Sequence, residues 1–211
     1  MPRFVFALFL FAGLVENRAM AVEEPPYRVV SQDGDFELRQ YPALIAAEVA
    51  VGGDQDQAGN AGFRLLAAYI FGGNHARESI AMTAPVTQSE AKGQSIPMTA
   101  PVVQSESHGT WTVRFIMPRG YTLETLPIPN DARVHLVALN PTTEAVLRFS
   151  GLAFAADVAA RTRDLRAKLA EHRLEPIGPP SLARYNPPWT LWFLRRNEVM
   201  IPVRGDEMAR D

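Results

Sequence analysis

Residues 60–73 read NAGFRLLAAYIFGG, and this stretch decides what kind of fold the chain can adopt. Phe63, Leu66 and Ile70 recur at the i, i+3 and i+7 spacing of a helix with one apolar face. Asn60 is placed to cap its start, and Gly72-Gly73 ends it, since glycine accepts left-handed backbone angles. A second helix is predicted over Ala155–Arg173, with Val158, Thr162, Leu165 and Leu169 on its inner side. Asp157 with Arg161, and Asp164 with Lys168, stand as acid-before-base pairs on its outer side. Each of these helices needs an apolar layer beneath it.

The remaining periodic segments supply that layer as strands. WTVRFIM (111–117) alternates, placing Trp111, Val113, Phe115 and Met117 on one side. Phe36–Gln40 alternates too, and Leu44–Val51 is apolar apart from Glu48. Arg133–Leu139, Ala145–Ser150, Leu182–Asn186 and Leu191–Val203 complete the set. The intervening stretches 54–59, 121–131 and 175–181 are turn-rich, and none has the length of an interdomain linker. Strands, helix, strands, then strands, helix, strands: this order predicts an α+β fold with an antiparallel or mixed sheet. A chain of 211 residues has room for one such domain.

Its start has a different character. Arg3 is followed by the apolar run Phe4–Val15 and by Ala19-Met20-Ala21, the three parts of a secretory signal peptide. A run of that length makes a helix of about 18 Å at ~1.5 Å per residue, short of a ~30 Å hydrocarbon core. Residues 1–21 are therefore read as a signal, and the folded domain is expected from Val22 to the end. That predicts an exported protein, periplasmic in a bacterium, with no stable membrane insertion once the signal is removed.

Composition narrows the chemistry. Lys and Arg total 21 against 23 Asp and Glu, a formal net charge of −2, so no cationic field exists to collect nucleic acid. Without cysteine there are no disulfides, thiolate metal sites, thiol nucleophiles or CxxCH haem attachment. HExxH, GxSxG, GxGxxG and phosphate-loop patterns are all absent, so no catalytic or metal-binding residue is nominated. Of the four histidines, His172 falls where it can interact with the negative end of the second helix. His75 follows the first helix in GGNHAR and His108 stands in a polar turn, both as conceivable axial ligands to a haem iron.

Two features call for explanation. SIAMTAPVTQSE (79–90) recurs as SIPMTAPVVQSE (95–106). Two copies joined by AKGQ read as a hairpin or adjoining extended segments, with Pro85 and Pro101 at an edge, a bulge or a strand end. Met82 and Met98 then occupy equivalent places, either as core fillers or as a soft wall for a flat apolar ligand. The second feature is ARYNPPWTLWFLRRNEVMIPV (183–203), where Trp189, Trp192 and Phe193 crowd beside Arg195 and Arg196. It reads either as a terminal strand with core aromatics, or as an aromatic wall with cations for a planar ligand bearing carboxylates.

Taken together, FRLLAAYIFGGN (63–74), the IxMTAPV segments, FIMPRGYTLETLPIPND (115–131), RFSGLA (148–153) and ARYNPPWTLWFLRRNEV (183–199) resemble the SOUL haem-binding protein family. The resemblance implies a distorted antiparallel β-barrel flanked by two helices and built from two similar halves. It implies non-enzymatic binding of haem or another tetrapyrrole in an apolar groove beside the first helix. Carried across by position, the groove takes Phe63, Leu66, Ala67, Ile70 and Phe71, with Trp189 and Trp192 opposite and Arg64, Arg195 and Arg196 reaching the propionates. Gln40 stands where some animal members have a histidine suggested as an iron ligand, so packing rather than ligation is expected to hold the ring. The same groove would also suit a hydrolase-like enzyme acting on a small apolar molecule, or a protein-interaction face. An isolated glutamate of raised pKa beside Tyr or Trp within that groove would favour the enzyme, and an open apolar groove with peripheral arginines the binder.

Overall fold

The computed structural model describes residues 22–76 and 93–205. The expected signal segment and the first copy of the repeat, with Met82 and Pro85, lie outside them. The elements run β1 (Arg28–Asp33), β2 (Phe36–Tyr41), β3 (Leu44–Val51), α1 (Gln55–Ile70), β4 (Asn74–His75), β5 (Val102–Ser107) and β6 (Thr110–Ile116). They continue with β7 (Ile128–Pro129), β8 (His135–Leu139), β9 (Thr142–Ser150), α2 (Ala155–Glu171), β10 (Ser181–Arg184) and β11 (Arg196–Val203).

Nine strands form one sheet in the order β1-β2-β9-β11-β10-β5-β6-β3-β8, every pairing antiparallel. The sheet curls into a half-barrel with both helices on one face, the α+β architecture expected. Its two halves match: β2-β9-β11-β10 carries α2, and β8-β3-β6-β5 carries α1. The seam between them is the β10–β5 ladder, where Leu182 lies opposite Gln104. A small second ladder, β4 with β7, brings Asn74 opposite Pro129.

Alternation along the strands assigns the two faces. Under α2, Phe36, Leu38, Ala145, Phe149, Val199 and Ile201 pack with Leu165 and Leu169. Under α1, Val49, Val113, Phe115 and Met117 pack with Leu66, Tyr69 and Ile70. Met98 is packed against that second cluster, and Pro101 immediately precedes β5. The far face of the sheet carries Tyr41, Val146, Ala183 and Met200.

Several boundaries differ from expectation. α1 begins at Gln55, and its cap is Asp54, whose Oδ1 accepts from the amides of Asp56 and Gln57 at 3.0 and 2.8 Å. Gly59 and Gly62 break the apolar pattern there for a packing reason. A Cβ on Gly62 would lie 2.5 Å from Val113 Cγ2, so the helix reaches the sheet only because that atom is missing. On α2 the outer charges re-pair: Arg161 bridges Asp164, and Lys168 bridges Asp33 and Glu171. β1 was not expected, and the strand expected from Leu191 begins only at Arg196. Among the described residues, no helix is long and apolar enough to cross a membrane.

Candidate functional site

The ten residues nominated for a ligand separate into three groups. Leu66 and Ile70 are buried in the core against the sheet. Phe63, Arg64, Ala67 and Phe71 lie on the outer flank of α1, with Phe71 66% exposed and Phe63 37% exposed. The Phe63 ring meets Phe115 edge-on at 5.5 Å, so its inner edge is anchored while its outer edge stays accessible. From Phe63 to Phe71 the helix advances about 12 Å. Arg64 is exposed on the same flank.

The third group sits elsewhere. Trp189 and Trp192 belong to the connection between β10 and β11 and are 82% and 60% exposed, so they do not fill the core. This connection leaves the sheet after Arg184, whose guanidinium lies 3.6 Å from Asp56 in the first turn of α1. Phe71 closes the other end of the helix. The two arginines are already engaged. Arg195 donates to the carbonyl oxygens of Thr190 (2.9 Å) and Pro188, and Arg196 pairs with Glu198 at 2.8 Å and Glu24 at 3.0 Å.

On the opposite face of the sheet lies a cleft of about 200 Å³ that the sequence did not announce. Tyr41, Leu44, Val103, Ile116, Leu139 and Met200 make most of its wall, drawn from both halves of the sheet. Glu144, in the middle of β2-β9-β11, projects into it. One carboxyl oxygen accepts from Thr142 at 3.4 Å; the other, Oε2, is buried with no partner among the described residues. Burial raises the Glu144 pKa to about 7, against weaker opposing pulls from Thr142 and Arg114. Tyr41, on the same wall, is pushed up to about 12 by burial. A buried glutamate of raised pKa that shares an apolar wall with a tyrosine is an arrangement suited to proton-transfer or polar-anchor chemistry.

Next to the cleft the same face closes over charge. Glu198 receives two hydrogen bonds from Arg39 and one of 2.6 Å from the Tyr185 hydroxyl. Burial opposes its charge, but those bonds hold its carboxyl below the usual range. This cluster is internally satisfied and offers nothing to a ligand. His75 is also committed on one side, its Nδ1 lying 2.7 Å from Asn130 Oδ1. No group of three or more His, Asp or Glu among the described residues can hold a metal ion.

The molecule is thus a curled antiparallel sheet backed by two helices, with an apolar helix flank on one side and a cleft on the other. The family model of the SOUL heme-binding proteins matches residues 22–202, and the chain belongs to that family. No curated protein sequence matches it. Among solved structures, a hydrolase from Listeria innocua is similar at 13% identity with a TM-score of 0.53, over 83% of this chain and 94% of that one. The EcmrR C-terminal domain is similar at 9% identity and TM-score 0.56, over 84% and 98%. EcmrR in complex with DNA is similar at 10% and 0.53, over 80% of this chain and 57% of that one. At these identities the likenesses show a shared fold.

Proposed function

We propose that this chain is a non-catalytic binder of haem or a related tetrapyrrole, held against the outer flank of α1. The observation that carries the reading is the stripe of exposed Phe63 and Phe71 with half-buried Ala67 between them and exposed Arg64 beside it, in a chain of the SOUL heme-binding family. Leu66 and Ile70 support the stripe from within, fixing the helix on the sheet. At ~25 cal/mol per Å² of apolar surface, covering a few hundred Å² supplies several kcal/mol without an iron bond. Arg64 is left to meet a propionate, for about 1 kcal/mol or less at such an exposed position. The test is absorbance titration of the protein with haem and with metal-free protoporphyrin. Saturable binding of both, lost together in Phe63→Asp and Phe71→Asp, is expected. No saturable binding of either overturns the reading.

A second reading rests on Glu144. Its cleft suits a small apolar molecule carrying one hydrogen-bond donor or positive charge, and a carboxyl with a pKa of about 7 is poised to exchange a proton with it. This would support a hydrolase-like enzyme or a second binding function. Turnover or ligand uptake that disappears in Glu144→Gln, while the tetrapyrrole titration is unchanged, would establish it.

A further inference from the structure

We infer that the connection Asn186–Leu194 is a docking element for the surface of a lipid bilayer. Every residue in it except Thr190 is exposed, and Trp189, Leu191, Trp192, Phe193 and Leu194 place five large apolar side chains in water within six positions. Leu152 and Phe154 lie just past the end of β9, which this connection touches, and both are exposed as well. A cluster of this kind on a folded protein marks an interaction surface.

The segment is built, not frayed. The Thr190 amide bonds the Pro187 carbonyl at 3.0 Å, and Leu194 bonds Leu191 at 2.9 Å in a single 3-10 turn. Arg195 folds back to occupy the carbonyls of Pro188 and Thr190. The apolar side chains are thus held outward while backbone acceptors that water would otherwise serve are satisfied from within. An apolar phase imposes that requirement on any backbone entering it. Tryptophans beside leucine and phenylalanine suit the headgroup boundary, where an amphipathic ring has both environments.

The path of the chain points to the same partner. Glu24, two residues after the first described residue, pairs with Arg196 at the base of the connection at 3.0 Å. The described chain thus starts from this pole, directly after the apolar run Phe4–Val15 in the sequence, so while that signal is still attached the run and the connection are offered to the same membrane. Charge steering is absent, because Arg195 and Arg196 are engaged internally and the chain carries −2 overall. Neutral lipid suffices, and the contact is peripheral, not spanning.

The absence of cysteine gives a clean test in the full chain. A polarity-sensitive maleimide dye is placed at Phe193→Cys, or at Ser107→Cys at the other end of β5, and phosphatidylcholine vesicles are added. A blue shift at position 193 but not at 107, insensitive to salt, is expected. Leu191→Asp should weaken the partitioning by about tenfold. Co-sedimentation without a shift at 193 would mean that the apolar run alone holds the vesicle, and would overturn the inference. So would a shift at 193 without vesicles that grows with protein concentration, because the occupant would then be a second copy of the chain.

Discussion

Arg39 on β2 and Glu198 on β11 are joined by two hydrogen bonds of 2.8 and 3.0 Å that pass over the intervening strand β9. Both side chains are almost fully removed from solvent, at 2% and 0% exposure. The pair fastens the outer strand of one half to the centre of the sheet. Removing Glu198 takes two hydrogen bonds from the buried Arg39 and leaves it only the carboxylate of Glu37 at 2.7 Å, so its charge is then poorly compensated in the interior.

Glu198→Gln should therefore lower stability in urea unfolding by on the order of 2 kcal/mol, less than for a wholly unpaired buried charge because Arg39 keeps Glu37 and Arg196 keeps Glu24. The double replacement Arg39→Met with Glu198→Leu should lose much less, because no buried charge is left alone. Equal losses in the two proteins would show that packing at these positions, not charge, sets the effect.

Glu144 and Glu198 should act on stability in opposite directions with pH. The Glu144 pKa in the fold is above its ordinary 4.5, so the native state holds that proton longer than the unfolded chain. Stability falls as pH rises from 4.5 through about 7, on the order of 3 kcal/mol at ~1.4 kcal/mol per pH unit. Glu198 is held below the ordinary range, so its contribution is present above that range and is lost as pH drops through it. Comparing urea midpoints at about pH 5 and about pH 8 should show a drop in the native protein and a flatter profile in Glu144→Gln.

Gly62→Ala should destabilise the fold, although alanine is the better helix former by ~1 kcal/mol. The new methyl would meet Val113 at 2.5 Å, and overpacking of this kind costs about 1–3 kcal/mol. A paired Val113→Ala change should recover part of the loss in thermal unfolding.

For tetrapyrroles, metal-free protoporphyrin should bind nearly as well as haem, and His75→Ala should weaken both little. A large loss confined to His75→Ala and to the iron form would show that ligation, not packing, drives binding.

Much of the architecture was legible because it is local. Alternation in WTVRFIM identified β6, and the spacing of Phe63, Leu66 and Ile70 identified α1; Leu66 and Ile70 mark its buried side, while Phe63, read onto the same face, stays partly exposed on the flank. The first turns of α1 were not legible, because Gly59 and Gly62 look like loop residues until their contacts with Gln104 and Val113 are known. Residues Leu191–Leu194 read as strand from their β-forming side chains. Only the folding back of Arg195 onto Pro188 and Thr190 makes them a turn. Glu144 carried no signal in TTEAVLRFS. Its burial is created by β2 and β11 arriving on either side, from opposite ends of the chain.

The strand order also bears on how the chain reaches its fold. β2 and β3 are consecutive, yet β2 pairs with β9; β8 and β9 are consecutive, yet β8 pairs with β3. Each half has lent its outer strand to the other, through the crossings at Pro42-Ala43 and Asn140-Pro141. Neither half can close alone. Such long-range pairing slows folding, and during synthesis Phe36 and Leu38 wait uncovered until β9 and α2 have emerged. A protein assembled by this exchange should lack a stable half-domain intermediate, and loss of Arg196–Val203 at the end of the chain should dissolve the sheet from its middle.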